Sequence, residues 1–415
     1  MKPHTPEVFS VAGGLQLAVE PIPGATTAAV VWQVPVGTAG DPLGSAGCGE
    51  AAVLADVISR GAGNLTSRQF SDALDRLGVQ RSTSSSTYSI TLTAVCLAEA
   101  LDGLLELLSQ ALLQPTINRE SVDASRDLAL QSLASLQDDP QHFASIKMGE
   151  IAIPAPFNRH GFGTEDGLAA LTTDSLRASW ARRCRPIGSI LGIAGAVDSD
   201  RVRASLERLL ASWSGASVEP LESAPAIGGS LHECQPTAQS HICLAIPAPR
   251  QADPASLAHR LLVRVLGGGG MSNRLFSEVR EKRGLCYSVG ASYACGRDRG
   301  LLSIYAGSTP DRAAETLSCV RCELLKMANG VSSEEFKRAI IGLKSSIVMA
   351  GESTSARAAA IAGDLFRIGR VRSLREVVQE VEALTLAQVN QQAAAALTPS
   401  RVEKAALVVV GPAAL

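Results

Sequence analysis

The chain has 415 residues, of which 46% are hydrophobic but only 4% aromatic, and its formal net charge is -2. At roughly 100–200 residues per domain this length predicts two domains, with cores filled mainly by Ala, Leu, Val and Ile. So small a net charge makes no field that recruits phosphate backbones or anionic lipid, which disfavours nucleic acid and membrane partners. No run reaches the ~18 apolar residues of a membrane span. The start, Met1-Lys2-Pro3-His4-Thr5-Pro6-Glu7, leads into a strand-like segment without an apolar signal region. Nine scattered cysteines, an odd number, do not form a disulfide framework, and the expected compartment is the reducing cytoplasm.

In chain order, residues 9–11, 15–19 and 28–34 are predicted strands, separated by Gly and Pro punctuation. A helix is predicted from 51 to about 58, and an amphipathic one over 67–77 with Ser67 as N-cap and Gly78 just past its end. Residues 82–95 alternate, with Tyr88, Ile90, Leu92 and Ala94 on one face. Helices over 98–113 and about 120–136 follow, then a buried strand at 190–195 and a helix from 199 to about 210. This order predicts an α+β fold, each domain a mainly antiparallel sheet covered by helices on one side. A Pro/Ser/Gly/Ala-rich stretch, 214–230, is expected to link a domain at 1–213 to one at 231–415.

The second half repeats the first. Residues 67–77 with Gly78 match 272–283 with Gly284, and Phe70 and Phe276 each stand eight residues before those glycines. Each helix follows a Gly-rich turn and precedes a strand pair, and each half then reaches an acidic helix start, Asn118-Arg119-Glu120 and Ser333-Glu334-Glu335-Phe336. Four matched features in one order indicate an internal duplication.

That duplication, together with the run from Gly268-Gly269-Gly270-Met271-Ser272-Asn273-Arg274 through Glu281-Lys282-Arg283-Gly284-Leu285-Cys286-Tyr287-Ser288-Val289, resembles peptidase family M16. This is the inverted-zincin group that includes the mitochondrial processing peptidases. Asp138-Asp139-Pro140, Gly163-Thr164-Glu165-Asp166 and Arg185-Pro186 stand where the family has similar residues, so the resemblance spans the chain. It implies two homologous domains of the LuxS-like metallohydrolase fold, forming half of a clam-like shell.

Active members of that family hold zinc through two His of an H-x-x-E-H helix, with the Glu as general base and a further Glu from a later helix. Aligning Gly49 and Gly61 with the glycines bracketing that motif puts Ala52 and Asp56 at the His positions and Ala55 at the base. The stretch 121–149 contains no Glu, and its acids are Asp123, Asp127, Asp138 and Asp139. The resemblance is therefore to the non-catalytic type of subunit. No metal is expected here, and zinc is expected in a partner.

No two of His4, His142, His160, His232, His241 and His259 stand at i, i+4 spacing, and the nearby His232 and His241 are expected to flank a strand rather than bind metal. Cys319-Val320-Arg321-Cys322 lies in a helical pattern with no second pair, which predicts a buried structural pair. Gly267, Gly268, Gly269 and Gly270 lack the Lys-Ser/Thr of a P-loop and read as a strand-to-helix connection; the resemblance adds a substrate-loop role. Arg280 and Tyr287 match the Arg and Tyr that the family's second domain turns toward substrate. A guanidinium fork and a neutral phenol both suit a peptide carbonyl or a developing oxyanion. The alternative is a surface charge and a packed strand tyrosine.

Three functions follow. The first is a peptide-binding, non-catalytic subunit paired as a heterodimer with a zinc-bearing M16 protein. The second is a structural scaffold, for instance a homodimer. The third is an autonomous zinc peptidase with non-standard ligands. Missing first-half ligands beside retained Arg280 and Tyr287 favour the first.

Overall fold

A computed structural model describes residues 5–42, 48–215 and 221–415. The expected linker at 214–230 lies in part, at 216–220, outside the described residues, as does His4. Six strands make one sheet: β1 (Glu7–Val11), β2 (Leu15–Pro21), β3 (Thr27–Val34), β4 (Gln80–Ser85), β5 (Ile90–Leu97) and β6 (Ile190–Gly195), in spatial order β1-β2-β6-β3-β5-β4. Five make another: β7 (Ser230–Cys234), β8 (Ser240–Ala248), β9 (Ser288–Cys295), β10 (Gly300–Ser308) and β11 (Ala406–Gly411), in order β7-β11-β8-β10-β9. The duplication is visible in the pairing. β2 with β6 and β7 with β11 are parallel, while β3 pairs antiparallel with β5 and β6 as β8 does with β10 and β11.

The helices are α1 (Glu50–Val57), α2 (Ser67–Arg76), α3 (Leu101–Leu113), α4 (Arg119–Ser135), α5 (Pro140–Ala152), α6 (Glu165–Ala169), α7 (Thr173–Arg183), α8 (Ser199–Leu209), α9 (Ser256–Val263), α10 (Ala313–Ala328), α11 (Ser333–Gly351), α12 (Thr354–Ile368), α13 (Leu374–Glu382), α14 (Leu386–Ala396) and α15 (Pro399–Glu403). Thr66, rather than Ser67, caps α2. Its hydroxyl accepts the Gln69 N–H while the Gln69 side chain accepts the Thr66 N–H, so the Gln three residues on selects Thr66. Gly78 at the other end has φ +64°, the left-handed turn expected of it. Residues 82–95 divide into β4 and β5, with Tyr88 in the turn between them. The expected helix at 272–283 is π-wound over Phe276–Glu281.

Two compact units interleave along the sequence. One comprises Met1–Ser135, Arg159–Ser223 and Ala350–Ser373; the other comprises Leu136–Asn158, Ala224–Met349 and Leu374–Leu415. Unlike the contiguous halves read from the linker, each unit takes a segment from the opposite half of the sequence. α12 belongs with the first sheet, and α5 packs on β8 and β11 of the second.

Strand periodicity explains how the first sheet accepts α12. Ala28, Val30, Trp32 and Val34 of β3 enter the main core with helices of the first half, while Ala29 and Val31 point to the opposite face. There Ala18, Ala29, Val31, Ile190 and Ala194 meet Ala358, Ile361, Ala362 and Leu365 of α12. The approach is close enough to demand glycine at 192, where an added Cβ would lie 2.5 Å from the Ala358 carbonyl oxygen and 2.8 Å from Ala362 Cβ. A bidentate ion pair fixes the helix further, Arg357 donating to Glu20 of β2 at 2.9 and 3.0 Å.

Candidate functional site

α1 has only eight residues, too short to persist on propensity alone, so tertiary anchors must hold it. At its start Asp41 accepts from the N–H groups of Gly49 and Ala51, each at 3.1 Å, and so caps the helix from outside it. Arg183 of α7 donates to Asp41 at 3.2 Å and to Glu50 at 2.9 Å, and also to the Gly37 carbonyl, while Ser179 donates to Glu50. All three charged side chains are buried. Burial pushes the Asp41 carboxyl up to about 6, against the pull of Arg183 and with the help of Glu50. Gly49, at φ +106°, lets the chain enter the helix beside Leu168 and Gly163, where a Cβ would clash.

Ala52, Ala55 and Asp56 of α1, with Ser59 just past its end, line one side of an open cavity of about 470 Å³. Its other wall is the edge strand β4 with its preponderance of hydroxyl side chains. Ala52, Ala55 and Asp56 thus line the same cavity. Ala52 and Ala55 bring no donor. The Asp56 carboxylate is engaged: Arg60 Nε lies 2.6 Å from Oδ2, and the Ser125 hydroxyl of α4 donates to the same oxygen at 2.5 Å.

The other acids near the expected third ligand do not join it. Asp123 pairs with Arg126 and Arg119, Asp127 is exposed, and Asp139 caps α5 through the His142 N–H. Among the described residues no three His, Cys, Asp or Glu side chains gather as a metal-binding group. Zinc, which tetrahedral protein sites hold with three or four N, O or S donors, does not fit this donor set.

In the other unit Arg280 is exposed on the π-wound segment Phe276–Glu281, its guanidinium carbon 4.8 Å from the centre of the Phe276 ring. Tyr287 is 61% exposed, so it is not packed away, and its N–H donates to the Gly307 carbonyl of β10 at 2.9 Å. Local π winding of a helix often marks a functional position. The four glycines do not act alike. A Cβ on Gly267 would strike the Ala291 nitrogen at 2.5 Å, so that residue serves close packing on β9, whereas Gly270, at φ +88°, has open space around it and leads to the exposed Met271.

His232 and His241 sit on the strands flanking β11 and engage separate partners, the Gly411 carbonyl at 3.0 Å and the Tyr305 hydroxyl at 2.9 Å. The expected buried cysteine pair is not buried. Cys319 is half-buried and Cys322 exposed on α10, because the helical spacing of the two does not determine which face turns inward.

A duplicated α+β scaffold, with a short anchored helix at the place of an inverted-zincin motif and no ligands on it, defines a metallopeptidase fold without its metal centre. Comparison with known proteins identifies the family: residues 16–159 match insulinase (peptidase family M16) and residues 170–343 match the peptidase M16 inactive domain, and the chain belongs to peptidase family M16. An uncharacterized zinc protease of Streptomyces coelicolor is 29% identical over 401 residues, covering 91% of this chain and 84% of that protein. Another, of Mycobacterium leprae, is 26% identical over 400 residues, covering 92% and 87%. The crystal structure of a peptidase M16 inactive domain from Pseudomonas fluorescens shares the fold, with a TM-score of 0.89 at 20% identity over 99% of this chain and 98% of that one. Among the described residues no helix is long and apolar enough to cross a membrane.

Proposed function

We propose that the chain is a non-catalytic M16 subunit that binds peptide in the cytoplasm and contributes Arg280 and Tyr287 to a composite active site with a zinc-bearing M16 partner. The observation that carries this reading is a contrast. Asp56, the one acid at the metal positions, is committed to Arg60 and Ser125, whereas Arg280 and Tyr287 stand exposed. Packing of the Arg280 guanidinium against Phe276 limits its rotamers, leaving its planar donors to meet a peptide carbonyl. The Tyr287 phenol adds a neutral donor, and both gain strength toward an oxyanion that develops during cleavage. Metal and base come from the partner.

The test is to co-purify the chain with an H-x-x-E-H paralogue from the same genome and to measure cleavage of a fluorogenic peptide. Arg280→Ala and Tyr287→Phe should each lower kcat/KM by about 100- to 1,000-fold, the range for loss of one transition-state donor, with assembly unchanged by gel filtration. Unchanged rates in both variants would favour a scaffold role instead.

A further inference from the structure

We propose that Asp56, Arg60 and Ser125 form a metal-free clip that joins α1 to α4, replacing the cross-link that zinc makes between an H-x-x-E-H helix and the later helix supplying its third ligand. Asp56 occupies the second ligand position of α1, and Ser125 lies within the stretch of α4 where that third ligand is expected. The two helices pack directly on each other. Two donors converge on one carboxylate oxygen, at 2.5 Å from the Ser125 hydroxyl and 2.6 Å from Arg60 Nε, so the bond between helices is charge-assisted.

The placement of Asp56 calls for such a partner. It is the penultimate residue of α1, where a negative charge opposes the helix dipole. Arg60, one turn on, offsets that charge, and Ser125 turns the offset pair into a tie to another helix. A metal ion at the same oxygen would have to displace Ser125 and would sit beside the Arg60 cation. The clip therefore competes with a metal for that oxygen as well as standing in its place. It also completes the anchoring of a helix that is too short to hold itself: the Asp41–Arg183–Glu50 network grips its start and the clip grips its end.

Hydrogen exchange of the α1 amides tests this on the isolated full-length chain, in EDTA and in zinc chloride, with metal content measured in parallel. Because neither a partner nor a peptide is present, the outcome is independent of the proposed subunit role. Ser125→Ala is expected to raise the opening constant of the C-terminal α1 amides about 10-fold or more, as for loss of a hydrogen bond to a charged group. Asp56→Asn should do the same, and the double variant should fall well short of the product of the two, the signature of a shared contact. Zinc should leave the wild-type pattern unchanged. Wild-type exchange retained in both single variants, multiplicative effects in the double, or stoichiometric zinc that slows α1 exchange would each overturn the clip.

Discussion

Removing Arg357 is predicted to release α12 from the first sheet. Both members of the Arg357–Glu20 pair are nearly sealed from water, their side chains only 6% and 4% exposed, and the two donors bind in the bidentate geometry of a guanidinium on a carboxylate. Arg357→Ala removes the bidentate donor from the buried Glu20 carboxylate, and losing one partner of such a pair costs ~3–5 kcal/mol in comparable sites, or about two to four decades in an equilibrium constant. The apolar contacts of α12 do not absorb that loss easily. Of the four residues it inserts, two are alanines, and Ile361 and Leu365 together contribute roughly 3–6 kcal/mol at ~1.5–3 kcal/mol each. The helix should therefore open locally before the unit unfolds. The assay is hydrogen exchange across 354–368 alongside urea denaturation, since two units need not melt as one and a single midpoint would average them. A double replacement, Glu20→Gln with Arg357→Met, should recover most of the stability, because a buried pair is expensive to break but cheap to replace with fitted neutral groups. A cost below about 1 kcal/mol for Arg357→Ala, or a double variant as unstable as the single, would refute the reasoning.

Gly192→Ala should destabilise the same docking by ~1–3 kcal/mol, the usual cost of overpacking, and should speed exchange in α12. Replacing a strand glycine that has room for a methyl would instead stabilise by ~0.4–1 kcal/mol, so the sign alone decides whether the 2.5 Å approach to Ala358 is real. Asp41 carries a pH signature. Its folded value of about 6 lies above the ordinary 3.8, so the folded state holds the proton longer than the unfolded chain. Stability from this group is fully present below about pH 4 and is lost as pH rises to about 6, by at most ~3 kcal/mol at 1.36 kcal/mol per unit. Asp41→Asn should flatten that slope in chemical denaturation between pH 4 and 7; a slope as steep as the wild type's would show that another group is responsible.

The period of two in β3 and β5, and the paired glycines after the helices at 67–77 and 272–283, made the strands and the duplication legible, because those signals are local. The short helix α1 was legible for a related reason. Gly49 caps its start and Gly61 follows a few residues past its end, both in backbone conformations that side chains rarely adopt, at φ +106° and +134°, so the segment is bracketed in the sequence. What could not be read was the exchange of α5 and α12. A helix carries no mark of which sheet it will meet, and the small residues Ala358 and Ala362 become a signal only when set against Gly192, more than 160 residues earlier. The Asp41–Glu50–Arg183 network was missed similarly. Its acids and its arginine stand more than 130 residues apart, and each alone looks like an ordinary surface charge. The cysteine pair failed on facing, since i, i+3 spacing puts two thiols on one side of α10 without saying whether that side is buried.

The state of the site bears on why the metal ligands are absent. A metal centre that had merely lost one donor would leave buried polar groups without partners, and such groups are costly. Among the described residues, none of the buried side-chain polar atoms without a hydrogen-bond partner belongs to the lining of the α1 cavity. Asp56 is satisfied by Arg60 and Ser125, Ala52 and Ala55 present only methyl groups, and the start of the helix is held by Asp41 and Arg183. Restoring single ligands would therefore remove contacts before it created a site. Asp56→His, for example, gives up the acceptor that both Arg60 and Ser125 use, while positions 52 and 55 still offer nothing to a metal. The scaffold around α1 is therefore self-consistent without zinc.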